Sequence, residues 1–153
     1  MAMPDGLYER DILVWSQHQA DLLRRLGRGE RVNDIDWAHI AEEIEDLGLS
    51  ELHAVESFLT LMLAHLLKLY AWPASDACNH WRGEIVVFQA EAVRRFSPSM
   101  RQRVDIAALY AVAVRQIRAI DRTLYVPADN PFTLDHLLND DVDVLSSRLP
   151  PLA

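Results

Sequence analysis

One cysteine, five glycines and a single lysine stand in the 153 residues of this chain. With Cys78 alone, no internal disulfide can form, and a reducing cytoplasm is the expected setting. No glycines are arranged as a phosphate-cradling loop or as a nucleophile elbow, so neither nucleotide-loop nor elbow-serine chemistry is indicated. The first residues show no basic region followed by an apolar stretch, and no secretory signal is expected. The most apolar window, residues 58–67, is about half the length a membrane span needs and carries His65, so no membrane is expected. Positive charge is also scarce. The net charge is −8, which disfavours general nucleic-acid affinity because phosphate contacts need a basic surface. From residue 32 to residue 67 there are eight Asp and Glu and no Lys or Arg.

What is present is helical periodicity. Residues 36–70 read as one long helix with an alternative start at Ser50, after Gly48. Ile40, Ile44, Leu47, Val55, Phe58, Met62 and Leu69 share one side by spacings of three and four. Asp36 is suited to cap it, with Ile35 and Ile40 placed as a hydrophobic staple. A first helix is expected over residues 7–26, with Tyr8, Ile12, Trp15, Leu22 and Leu26 as its stripe and Gln19 in one slot of it. Gly27 and Gly29 end that helix. Beyond Pro73, Trp81, Ile85, Phe88, Ala92 and Phe96 mark a third helix. Ser97 and Pro98 open a fourth reaching about Leu124, with Ile106, Tyr110, Ala113, Ile117, Ile120 and Leu124 inward and Arg101, Arg115, Arg118 and Arg122 outward. Thr133 caps a short helix to Leu138. The expectation is an all-α antiparallel bundle of four main helices, with a long central helix and a short C-terminal one. It is read as a single domain over residues 1–153, its core over about 7–138, followed by a loosely attached acidic, proline-ended tail at 139–153.

Several motifs recur together. AEEIEDLG at 41–48 follows the Asp36 turn and precedes Ser50 and Glu51. YERDILVWSQHQADLLR at 8–24, LAHLLKLY at 63–70, Trp81–Arg82, SPSMR at 97–101 and PFTLDHLL at 131–138 stand in matching order. Together these resemble the Domain of Unknown Function 29 family over roughly residues 7–141. The resemblance implies an all-helical fold and brings no activity, substrate or catalytic residue. His136 departs from the pattern, standing where Gln or Glu would complete a capping box with Thr133. The final acidic segment also lacks the family's usual aromatic residue.

Candidate chemistry is thin. His39, Glu43, Asp46 and His53 lie along one strip of the central helix, and such sets hold iron, manganese or zinc in helical bundles. The di-iron pattern needs a Glu-x-x-His pair on each of two helices, which this chain lacks. A three-histidine zinc site would draw on His18, His39, His65 or His80. His39, Glu43 and His65 are therefore the metal candidates, and no other cofactor is indicated. Cys78 and His80, two residues apart on a loop, do not position one another for nucleophilic catalysis. The arginine face and the four tryptophans read as solvated surface and packing groups rather than a nucleic-acid platform.

A structural polar cluster is also expected. Glu51 falls within the apolar stripe and Glu43 at its edge, and burying either unpaired costs several kcal/mol. The segment holds no basic residue, whereas Arg82 begins beside the core next to Trp81. Arg82 is expected to pair with Glu43 or Glu51, with His65 completing the network, and Arg82→Ala to cost about 3–5 kcal/mol. Two functional readings follow. The first is a non-catalytic cytoplasmic module that binds another protein, its own copy included, because residues 58–67 are apolar nearly all round and would be enclosed by a homodimer. The alternative is a metal-dependent helical-bundle enzyme using His and Glu of the central helix.

Overall fold

The computed structural model describes residues 6–152, and the regular structure among them is helical throughout. In chain order come α1 (Leu7–Arg10), α2 (Ile12–Gly27), α3 (Trp37–Ala71), α4 (Cys78–Arg95), a 3-10 turn (Pro98–Gln102), α5 (Ile106–Ile120), α6 (Leu134–Asn139) and α7 (Val142–Ser147). The all-α expectation holds. The chain divides into two compact units, Met1–Leu49 and Ser50–Ala153. The first contains α1, α2 and the beginning of α3; the second contains the rest.

In the first unit the single helix expected over residues 7–26 is broken at Asp11. Its carboxylate accepts a hydrogen bond from the Val14 amide at 3.0 Å, so it caps α2 and interrupts the preceding turn. Trp15, Gln19 and Leu22 are buried, while Ile12 and Leu26 at the two ends of α2 are exposed. Gln19 is satisfied at both ends of its amide. Its Oε1 accepts from the Asp36 amide at 2.8 Å and its Nε2 donates to the Asp34 carbonyl at 3.3 Å. Asp34 is left-handed, at φ 67°, a conformation costly for a non-glycine residue; the Gln19 bond helps hold it. Asp36 then caps α3 as expected, its Oδ1 accepting from the His39 amide at 3.4 Å.

From Asp36 on, α3 runs unbroken through Gly48. The expected apolar stripe is buried only in part. Val55 and Met62 are fully enclosed, but Ile44 and Leu47 in the first unit are exposed. In the second unit Leu59, Leu63, Leu66 and Leu67 are also fully enclosed, packed with residues of α4, α5, α6 and α7. Most of residues 58–67 are therefore enclosed within this unit, while Leu61 stays exposed. By length and composition α3 meets the criterion for a membrane-crossing helix, with half of its most apolar window buried; core helices share that pattern.

The inward stripe of α5 is formed as expected by Ile106, Tyr110, Ala113 and Ile117. The helix starts later than Pro98 because Asp105 caps it, accepting from the Ala108 amide at 3.1 Å. Ile120 closes it exposed, and Leu124 lies beyond its end. Burial pushes the Tyr110 phenol up to about 12, and its hydroxyl donates to the Pro127 carbonyl at 2.6 Å. At α6, His136 completes the capping box itself: its amide donates to Thr133 Oγ1 at 3.2 Å, and its Nδ1 accepts from the Thr133 amide at 3.1 Å. An imidazole nitrogen can accept where a Glu oxygen usually would.

Residues 139–149 are not loosely attached, whereas residues 150–152 beyond them are exposed. Val142, Leu145 and Leu149 are buried in the core, at a three-and-four spacing that the surrounding aspartates obscured. Gln89 of α4 also donates to the carbonyls of Leu137 and Asp140, both at 2.8 Å, which ties the tail down.

Candidate functional site

In the first unit Tyr8, Trp15, Asp36, His39 and Glu43 form one network. The Tyr8 ring stacks on the His39 imidazole with centroids 3.9 Å apart, and its hydroxyl donates to Glu43 Oε1 at 2.5 Å. That hydrogen bond, aided by burial and by the carboxylate's charge, pushes the Tyr8 phenol up to about 12. Asp36 Oδ2 receives Trp15 Nε1–H at 3.1 Å and His39 Nδ1–H at 2.7 Å. The Asp36 hydrogen bond holds His39 above the ordinary histidine value. Burial alone would raise Asp36, but the bonds from His39, Trp15 and the His39 amide together keep it below the usual carboxylate range.

A carboxylate behind an imidazole nitrogen can orient the ring as a base or metal ligand. Here the Tyr8 hydroxyl and the Trp15 indole N–H, bonded to Glu43 and Asp36, join α1 and α2 to the start of α3. Among the described residues no three His, Cys, Asp or Glu side chains are grouped so as to hold a metal ion. His39 and Glu43 are held in this network by Asp36 and Tyr8, whereas His65 is engaged in the second unit by Leu61 and Glu84.

The linkage has a definite sign. A folded pKa raised above about 6.5 means that charged His39 stabilises the fold fully below that pH, and that this contribution is lost as pH rises through the folded value. Asp36 works the other way: its contribution is present above about pH 4 and is lost as pH falls through its lowered value. Thermal melts of the wild type are expected to decline as pH rises above about 6.5, and those of His39→Gln to decline less over the same rise. Equal slopes would contradict the His39–Asp36 assignment.

In the second unit His65 is buried, with Nδ1–H donating to the Leu61 carbonyl at 2.9 Å. Its Nε2 lies 2.5 Å from Glu84 Oε2, and the other Glu84 oxygen is 3.2 Å from Nε2 of the exposed His80. The Phe88 ring meets His65 edge-on at 5.2 Å. Glu51 is paired with Arg95 at 3.0 Å, and Arg82 with Asp143 at 2.6 Å.

The expected cluster of Glu43, Glu51, His65 and Arg82 is therefore not formed: the four residues go to Tyr8, Arg95, Glu84 and Asp143. The reason is register. Within this unit α3 and α4 run antiparallel about the turn at residues 72–77, as the pairs His65–Glu84, Phe58–Phe88 and Glu51–Arg95 show. Glu51, far from the turn on α3, meets the end of α4, where Arg95 stands. Counting outward from the Pro73 turn would have found Arg95. Arg82 is 41% exposed and Asp143 80%. Arg82→Ala is accordingly expected to cost less than about 1 kcal/mol in urea unfolding; a loss of several kcal/mol would restore a buried role.

Beside this pair lies a cleft of 280 Å³, lined in part by Leu66, Tyr70, Cys78 and Arg82. The Tyr70 hydroxyl and Ser146 Oγ are buried without a hydrogen-bond partner among the described residues. The Cys78 thiol donates to the Trp72 carbonyl at 3.3 Å, which provides no base for a nucleophile. Arg115, Arg118 and Arg122 are exposed as expected, while Arg101 pairs with Asp135 at 2.9 Å.

The feature missed in the sequence is a surface. Trp37, Ile44 and Leu47 are 59%, 65% and 70% exposed, and they share one face of α3 with the small residues Ala41 and Gly48. Exposed Glu42, Glu45 and Asp46 occupy the adjoining circumference. Periodicity reveals such a stripe but not whether anything covers it.

Comparisons with known proteins agree with this architecture. The family model described as Domain of unknown function DUF29 matches residues 7–142. Among solved structures the chain is similar to an alpha-helical protein of unknown function from Rhodospirillum rubrum ATCC 11170, with 34% identity and a TM-score of 0.71. That match covers 94% of this chain and 98% of the other. No curated protein matches the chain.

Proposed function

The chain belongs to the family Domain of unknown function DUF29, and for it we propose a non-catalytic role: a helical module that acts by binding another protein. The observation that carries this reading is the exposed Trp37–Ile44–Leu47 face in the first unit. Large apolar side chains aligned on one helix face and left in water mark interaction surfaces more often than isolated exposed residues do, and tryptophan is enriched among residues that dominate binding energy. In this reading the module works in the cytoplasm with a protein partner and needs no cofactor, membrane or nucleic acid. The metal-dependent alternative needs a third ligand beside His39 and Glu43, and Glu43 is held by Tyr8.

The test is affinity capture from cells that produce the protein, using the wild type and an Ile44→Asp/Leu47→Asp variant as baits. A protein retained by the wild type and lost by the variant, with the variant's melting unchanged, supports the role. Identical captured sets would sink it. Stoichiometric zinc, iron or manganese in purified protein, lost in His39→Ala, would favour the metal alternative instead.

A further inference from the structure

We infer that the exposed face of α3 in the first unit receives a basic amphipathic helix of another protein rather than a second copy of this chain. This rests on the protein-binding reading above and names the chemistry of the partner.

The face is shaped for a helix. Trp37, Ile44 and Leu47 stand out, and Ala41 and Gly48 leave depressions between them. Gly48 lies inside a continuous helix, where glycine is less stable than alanine, and a Cβ added there would meet nothing within 4 Å. No neighbour in the chain requires glycine at that position, whereas a side chain or backbone approaching from outside would gain from it. Residues 37–48 span roughly 17 Å of helix, about three turns, which a partner can match with apolar anchors at three- and four-residue spacing.

Charge selects between occupants. Glu42, Glu45 and Asp46 are exposed and form no ion pair among the described residues. No Lys or Arg occurs anywhere in residues 32–67. A two-fold pairing of this face with itself would bring the two acidic segments together, and like charges across an interface oppose association. A partner helix with lysine or arginine beside its apolar stripe gains from the same carboxylates.

The probe is a synthetic peptide of about 18 residues with leucine and lysine in an amphipathic helical pattern. Its control has glutamate in place of lysine. Binding to the full chain is followed by fluorescence anisotropy, and the chain's own assembly by sedimentation equilibrium. The lysine peptide is expected to bind a monomeric protein. Binding should weaken at least about tenfold in Ile44→Asp/Leu47→Asp, in Glu42→Gln/Glu45→Gln/Asp46→Asn, and on raising the salt. Equal affinity for the two peptides, unaltered binding by either variant, or a wild-type dimer that Ile44→Asp dissociates would each overturn the inference. If the lysine peptide fails while a cellular protein is still captured in an Ile44-dependent manner, only the partner's chemistry is wrong. If that capture is absent as well, the binding role falls with it.

Discussion

Leu59→Ala is expected to lower the stability of the second unit by about 3–4 kcal/mol, within the range of about 2–5 kcal/mol seen for buried leucines. Leu59 is fully enclosed, as are Val55, Met62, Leu63 and Leu66 around it on the same helix. Removing its branched end forfeits the transfer free energy of the lost methyl groups and leaves a void that the close-packed core around it cannot fully collapse. The better helix propensity of alanine returns only a few tenths of a kcal/mol. Urea unfolding should show a lowered midpoint at unchanged slope. A loss below about 1 kcal/mol would mean that this side of α3 is not enclosed.

The second large effect is expected at Glu84. Because the Leu61 carbonyl can only accept, His65 Nδ1 carries a hydrogen, which leaves Nε2 to hydrogen-bond with the Glu84 carboxylate. Glu84→Ala removes that partner from a buried ring and should cost about 1–3 kcal/mol. The low end is expected because the Glu84 side chain is 36% exposed and solvent can partly compensate. Glu84→Gln should recover most of the loss, since its amide N–H can donate to a neutral Nε2. If Gln and Ala destabilise equally, the pair does not act through that hydrogen bond. If Ala costs nothing measurable, His65 finds its partner elsewhere.

Much of this fold is written in short-range signals. Asp36 and Thr133 cap the helices they precede because capping depends on a few neighbouring residues. The inward stripe of α5 and the enclosed half of α3 follow from which residues are apolar and at what spacing. Long-range matters are less legible. Ile44 and Val55 obey the same periodicity, yet one is exposed and the other buried, because coverage depends on elements distant in sequence. Glu51 does meet an arginine, but its side chain is 45% exposed rather than buried, and choosing Arg95 over Arg82 requires the register of the α3–α4 turn. The aspartates around Val142 and Leu145 suggest a frayed tail by composition, whereas the three-and-four spacing of Val142, Leu145 and Leu149 marks a buried stripe. Of the candidate metal residues, His39 and Glu43 do share a network; its partners, Tyr8 and Asp36, left no signature beyond being hydrogen-bonding residues near helix starts.

The exposed face of α3 is tested most directly by urea unfolding of Ile44→Gln/Leu47→Gln beside Leu59→Ala. Surface substitutions of this kind usually shift stability by no more than about 0.5 kcal/mol each. The double variant should therefore unfold within about 1 kcal/mol of the wild type. A loss of several kcal/mol, comparable with that of Leu59→Ala, would place Ile44 and Leu47 in a core and contradict their assignment to a binding surface.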